Sequence, residues 1–535
     1  MQGPARQGPS VSMSLLVTTC RRGFGHPVSE QKGLRCSAIP RDRAAPTRVT
    51  ASTEASYVSA LSSHLPRLAM GKVPLLGLLL LPSLVMQGCA TAPSAAVRRV
   101  PSATRKFKPV AAAKVSTAVF PSGMRLVVRE DPKATRVSMY MSYRVGATDE
   151  PAGKAGLAEL AARLTRMARH GGASAQTLEA RLAAVDVTTN NVVTHDDTEL
   201  WVTVAPAHFA TVVGLEAQRM LEPLAHVTGE DFQRVRARQT DDLWARYERP
   251  NEGPAQRWLY EKMLAGHAYG RPVGGTPESL QQVTLEDVRA IVKANYTPAH
   301  AVLVVSGPLS LADAKFEVRK AFANLAGLGS EARIPPVERT PPPMLEDVPG
   351  EVTMEVVRGP VKVPQLHFVL TLPGRYSGKY AEMMAAQEAM HSWMQENLKR
   401  DEYPLGRSFS VYHQELDGLT VLDCFVDLMR NVREEEARKL VPSMLATLDG
   451  HVDRMTKAKP AASESLRVSL MEDLHRQAFT ASAVNIARVF RATGRADILR
   501  LREEHVNRAL TSNALPPYLR QYVRAERVRT LLILP

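Results

Sequence analysis

At 535 residues the chain is long enough for two or more domains with their own cores. Its composition, 44% hydrophobic and 23% charged, excludes wholesale disorder. The formal net charge of +14 sits at one end: residues 1–110 hold 15 Lys/Arg against 3 Asp/Glu, and the remaining residues hold 53 against 51. A nucleic-acid binder carries its basic excess on the folded domain, so that class is excluded.

Residues 1–69 are rich in Arg, Ser and Pro and have no hydrophobic period. They form no domain and read as disordered or as an over-extended reading frame. At Met70-Gly71-Lys72 the pattern changes to a charged residue, an apolar run and then Cys89. The run is short for a bilayer span and has the length of a secretory signal's hydrophobic region. Val85-Met86-Gln87-Gly88-Cys89 resembles a bacterial lipoprotein cleavage box. That makes 70–88 a lipoprotein signal peptide and Cys89 the lipidated first residue of a periplasm-facing protein of the cell envelope. The competing reading is a buried hairpin of a longer fold. With Cys89 acylated, Cys424 has no cysteine partner in the mature chain; set in the apolar run TVLDCFVDL, it reads as a core residue.

Residues 89–114 form an Ala/Pro/Ser tether, and structure is expected from Val115. MRLVVR and VSMYMSY read as strands, a helix follows over 156–169 and another near Thr177–Val185. Strands are expected near 187–194 and 198–204, a helix over 207–220 and a long helical stretch over 230–265. Thr284, with Glu286 and Asp287 in the first turn, opens a capped helix that Tyr296-Thr297-Pro298 ends before the strand AVLVVS. Residues 331–350 hold six prolines and read as a linker between a first domain, 115–330, and a second, 351–535. The second repeats the pattern: strands at 352–357 and 366–372, a helix over 378–398, strands at 409–412 and 419–426, a mostly helical 434–448, and a closing VRTLLILP.

The helix after Gly156 carries apolar residues at Leu157, Leu160, Ala161, Leu164 and Met167, one buried stripe. Led in by SYRVGATDEPAGKAG, this stretch resembles the opening of the pitrilysin/insulinase family of zinc peptidases, the inverzincins. GHAYGRPVGG, YTPAHAVLVVSG and DDTELWV match the same scaffold, and the resemblance extends over 115–535. It implies an α+β fold of two homologous domains, each a mainly antiparallel sheet packed against helices, together forming one half of a clamshell.

In that family the helix carries H-x-x-E-H, with two His that bind zinc and a Glu that activates water. Aligned here, the first His falls on Glu159, the Glu on Ala162 and the second His on Arg163. The third ligand, a Glu further on, falls on Thr240 by strict spacing and on Asp242 when YERPNEG is aligned. An arginine cannot ligate a metal, so the alignment implies no bound zinc and an ion-pair cluster of Glu159, Arg163 and Asp242. The sequence contains no intact H-x-x-E-H, H-E-x-x-H or G-x-S-x-G, and His170, His195 and His391 lack ligand-spaced partners.

Many bacterial members of the family divide the work between a zinc subunit and a helper that supplies an Arg and a Tyr to hold the substrate carbonyl. The arginine position falls on Arg400, but the tyrosine position falls on Arg407, with Tyr403 and Tyr412 out of register. Arg400 and Arg407 are substrate-holding candidates; equally, Arg400 caps the helix before it. The implied function is a non-catalytic subunit, without cofactor, that pairs with a zinc-bearing homologue around peptide or unfolded-protein substrates. It would be held to the membrane by its lipid anchor. The alternatives are a solitary peptide- or protein-binding lipoprotein and, further off, an active metallopeptidase with unusual ligands.

Overall fold

The computed structural model describes residues 114–249, 253–323, 354–457 and 479–535. The expected signal peptide, the expected lipidation site Cys89, the expected tether up to residue 113 and the expected linker over 331–350 fall outside the described residues.

The first half begins with β1 (Lys114–Val119) and β2 (Arg125–Glu130), paired antiparallel around the expected Phe120–Gly123 turn. β3 (Val137–Tyr143) leads into α1 (Leu157–Leu164), which tightens to a 3₁₀ turn at Thr165–Met167, shorter than the expected helix. Then come α2 (Leu178–Ala183), β4 (Thr188–Val193), β5 (Thr198–Val204), α3 (Phe209–Leu221), α4 (Gly229–Tyr247) and α5 (Gly253–Trp258). A π turn at Leu259–Met263 follows, so the expected helical stretch over 230–265 is broken rather than continuous. α6 (Pro277–Gln282) precedes α7 (Leu285–Asn295), where Thr284 and Asp287 form the reciprocal cap that the sequence implies. β6 (Ala301–Gly307) closes the sheet, and α8 (Leu311–Ala321), which the sequence reading did not anticipate, packs beside it.

The second half has β7 (Met354–Arg358), β8 (Gln365–Pro373), α9 (Tyr380–Asn397), β9 (Leu405–Glu415) and β10 (Leu419–Leu428). It continues with α10 (Glu434–Leu445), α11 (Leu448–Lys457), α12 (Phe479–Thr493), α13 (Ile498–Thr511), α14 (Leu515–Tyr522) and β11 (Arg529–Leu534).

The sheet orders are β1-β2-β6-β3-β5-β4 and β7-β11-β8-β10-β9. Pairing is antiparallel except for β2 with β6 and β11 with β7. The second order repeats the first from β2 onward, with α1 and α9 as equivalent helices between the third and outer strands. The fold class is α+β, as the resemblance implied.

Alternation along the strands decides how each sheet is covered. Leu126, Val128, Met139, Met141, Leu303 and Val305 face α1, α3 and α7 in one core. Leu366, Phe368, Leu370, Leu422, Cys424 and Val426 face Met383, Ala386, Met390 and Trp393 of α9 in the other. The opposite faces are covered by exchange. α12, from the second half, lays Ala483, Ile486, Ala487 and Phe490 on Val127, Tyr140, Val302 and Val304 of the first sheet. Trp258, Met263, Leu264 and Tyr269, from the first half, lie on Val369, Val421, Leu531 and Ile533 of the second. Both sheets belong to one compact unit.

Candidate functional site

The helix that carries Glu159, Ala162 and Arg163, α1, is held at its N-terminus by an acid. Glu150 accepts the backbone N–H groups of Gly156 (3.0 Å) and Ala158 (2.8 Å), the donors that a first turn leaves unpaired. Gly156 sits at φ +94°, and a Cβ there would lie 2.3 Å from the Gly274 carbonyl oxygen. Burial is the largest influence on Glu150 and pushes its carboxyl up to about 8, against the pull of those two amides.

Glu159 lies one turn further along, buried between two arginines. Arg163 reaches its Oε1 through Nη2 (2.7 Å) and Nε (3.1 Å); Arg246, from α4, reaches Oε2 through Nη1 (3.0 Å) and Oε1 through Nη2 (3.2 Å). Arg163 also donates to Asp242 on α4 at 2.5 Å. Its guanidinium therefore ties α1 to α4. Burial raises the Glu159 pKa, but Arg246 and Arg163 together outweigh it and hold the group below the ordinary carboxylate value. Arg246 and Tyr247 also donate to the Val273 carbonyl, at 2.8 and 2.9 Å. Gly274, at φ +87°, leaves room where a Cβ would meet Arg246 Nη1 at 2.6 Å and Glu159 Oε2 at 2.8 Å.

The structure thus brings Glu159, Arg163 and Asp242 together and adds Arg246, which the sequence reading passed over. Its signal was present: Arg246 stands four residues after Asp242 and so shares its helix face. Thr240 takes no part; its hydroxyl donates to the Arg236 carbonyl within its own helix. Ala162 is buried, and its carbonyl accepts from Thr165 Oγ1 (2.8 Å) and from Asn191 Nδ2 on β4 (3.2 Å). No group able to activate water stands at that position. These side chains do not fit a zinc ion: the donors are two carboxylates already bound to guanidinium groups, among the described residues no imidazole joins them, and Arg163 sits between them.

Arg400 and Arg407 lie elsewhere, at the second sheet. Arg400 follows α9 and is partly exposed; it donates to the Tyr403 hydroxyl (3.2 Å), lies 5.3 Å from that ring's centroid and is 3.7 Å from Glu402. Arg407 stands in the outer strand β9. The buried Tyr403 hydroxyl pairs with Ser443 of α10 at 3.0 Å. Cys424 is fully buried in β10, and burial holds its thiol well above the ordinary value, as a core residue requires. His195 is also buried; burial lowers it to about 4, and its Nε2 meets the Arg271 carbonyl at 3.1 Å.

β4, the outer strand of the first sheet, runs beside α1 and pairs with β5 on one side only among the described residues. Its outer backbone groups are thus placed to accept a further strand.

Solved structures share this fold. A protease from Helicobacter pylori superposes with a TM-score of 0.65 at 17% identity, over 79% of this chain and 100% of its own. The peptidase M16 inactive domain from Pseudomonas fluorescens gives 0.62 at 12% identity, over 79% and 98%. The fold is the M16 peptidase fold. A chain of complex III2 from Candida albicans shares it as well, with a TM-score of 0.62 at 14% identity over 78% of this chain and 96% of its own. In sequence, residues 282–459 match the Peptidase M16 inactive domain, from the end of α6 to just past α11. Comparison with curated proteins gives no match.

Proposed function

We propose that this chain is a non-catalytic M16-type subunit that binds peptide or unfolded protein and pairs with a zinc-bearing homologue to complete a proteolytic chamber. The observation that carries the reading is the site on α1. The M16 frame is kept around it, while an arginine bridge between Glu159 and Asp242 stands where the family's hydrolytic groups would be. The β4 edge gives an extended peptide a backbone to pair with, independent of peptide sequence.

A partner surface is supported by Trp244 on α4, 72% exposed two residues from Asp242. Large exposed indoles are characteristic anchors of protein interfaces. The Pseudomonas fluorescens chain, an M16 inactive domain of the same fold, also supports a non-catalytic role. The anchor in this reading is lipid on Cys89, facing the periplasm.

Membrane extraction followed by affinity capture of this chain tests the proposal. The expected co-purifying protein is a homologue with an intact H-x-x-E-H, and Cys89→Ser moves the pair out of the membrane fraction. Repeated capture of peptide without any such homologue would favour the solitary binding lipoprotein.

A further inference from the structure

The turn between β4 and β5 is built around two adjacent acids, Asp196 and Asp197, each with only 1% of its surface exposed. They point to different parts of the molecule. Asp196 accepts the Tyr269 hydroxyl (3.1 Å) and the Asp417 backbone N–H (3.0 Å), and Arg375 lies 3.5 Å away. Arg375 also pairs with Asp417 Oδ1 at 3.0 Å and donates to the Glu415 carbonyl. The Tyr269 hydroxyl in turn accepts from Gly418 N–H at 2.7 Å. Asp196 therefore holds the β9–β10 turn of the second sheet.

Asp197 holds α12. Its oxygens meet Arg488 Nε at 2.5 Å and Arg491 Nη1 at 2.6 Å. Arg488, 1% exposed, extends to Glu199 of β5 (2.5 Å), and Arg491 extends to Ser142 at the end of β3. The same turn uses its backbone for a third connection. The Thr194 carbonyl accepts Ala147 N–H (3.0 Å), and the His195 carbonyl accepts the Thr148 N–H (3.0 Å) and hydroxyl (2.7 Å). That segment continues directly into Glu150, the acid that holds the N-terminus of α1.

We infer that the Thr194–Asp197 turn is a latch that joins the β4 edge, the second sheet, α12 and the lead-in to α1 into one cooperative unit. The physical reason is the dryness of the junction. A carboxylate taken from water is tolerated only while its cationic partners stay in place, so losing either set leaves an uncompensated buried charge. Because the two acids are neighbours in one tight turn, displacing one displaces the other. This rests on the reading of β4 as a strand-accepting edge for its purpose: a strand added there would be felt at the second sheet. The latch itself is a property of the unliganded chain.

Hydrogen exchange of the full purified chain, without peptide, tests it. Asp196→Asn leaves Asp197 and its two arginines in place, and Asp197→Asn leaves the Asp196 bonds to Tyr269 and the Asp417 N–H in place. The latch predicts crossed effects: Asp196→Asn speeds exchange in α12, and Asp197→Asn speeds exchange at Leu416–Leu419, each by about tenfold or more. Arg219→Met, in the buried Glu216–Arg219 pair inside α3, is the control for general loosening and leaves both segments unchanged relative to each other. If an Asp variant does not accumulate folded, Arg491→Lys keeps the charge but loses reach to Ser142, and gives the same reading at Leu416–Leu419. Exchange that rises only at each acid's own partner would overturn the latch. Failure to bind peptide would count against the peptide-edge reading alone.

Discussion

Arg163→Met removes one of the two guanidinium groups that tie α1 to α4 while keeping the apolar stem. Its side chain is 19% exposed, Glu159 is 9% exposed and Asp242 is 41% exposed, so its ties to the two acids are unequal. The bond to Glu159 is charge-assisted and nearly dry, worth about 1.5–3 kcal/mol. The bond to Asp242 is discounted for solvent to about 0.2–1 kcal/mol. Glu159 keeps both contacts from Arg246, so the larger penalty of a stranded buried charge is avoided. The expected loss is about 2–4 kcal/mol, which for a fold of this length lowers Tm by roughly 2–4 °C. Thermal unfolding followed by circular dichroism measures this, and double-mutant cycles sharpen it. Coupling of Arg163 with Glu159 should exceed its coupling with Asp242. A variant as stable as the wild type, or the reverse order of couplings, would refute the Arg163 bridge as a stabilising tie between the helices.

The purified chain should contain no stoichiometric zinc; elemental analysis finding about one zinc per chain, lost on Glu159→Ala, would contradict that. Glu150 has a folded pKa of about 8, above the value of an unfolded Glu, so the folded chain holds more protons between pH about 4.5 and 8 and stability falls as pH rises through that window. Subtracting the Tm–pH curve of Glu150→Gln from that of the wild type should show this slope, and a flat difference would remove Glu150 from the account. Arg400→Ala should leave the complex with the zinc-bearing homologue intact and lower its kcat by about tenfold or more, and an unchanged kcat would assign Arg400 to stacking on Tyr403 alone.

The legible parts of this sequence were those with a local cause. The periods of two and 3.6 marked β2, β3, β5 and α7, and the Thr284 cap fixed where α7 begins. Glu159 and Arg163 could be read as a pair because four residues on a helix bring side chains together. What stayed hidden depends on distant partners. α12 shows a stripe of Ala, Val and Ile, but nothing local says that it crosses to the first sheet. Nothing local in the sequence pairs Arg488 and Arg491 with Asp197 and Glu199, which lie about 290 residues earlier. Arg246 was missed for a related reason: its partners Glu159 and Val273 lie far away in sequence. The π turn that interrupts the expected helix over 230–265 likewise serves packing against the second sheet rather than any local preference.

The measurement that bears most directly on the central claim is a reconstitution. The purified chain is titrated into the proposed partner, a homologue with an intact H-x-x-E-H, at fixed concentration, and hydrolysis of an unfolded protein substrate is followed. The account predicts no hydrolysis by this chain alone and activity that rises to a plateau at one copy of each. A homologue fully active by itself and indifferent to added chain would contradict it, as would metal-dependent hydrolysis by this chain alone.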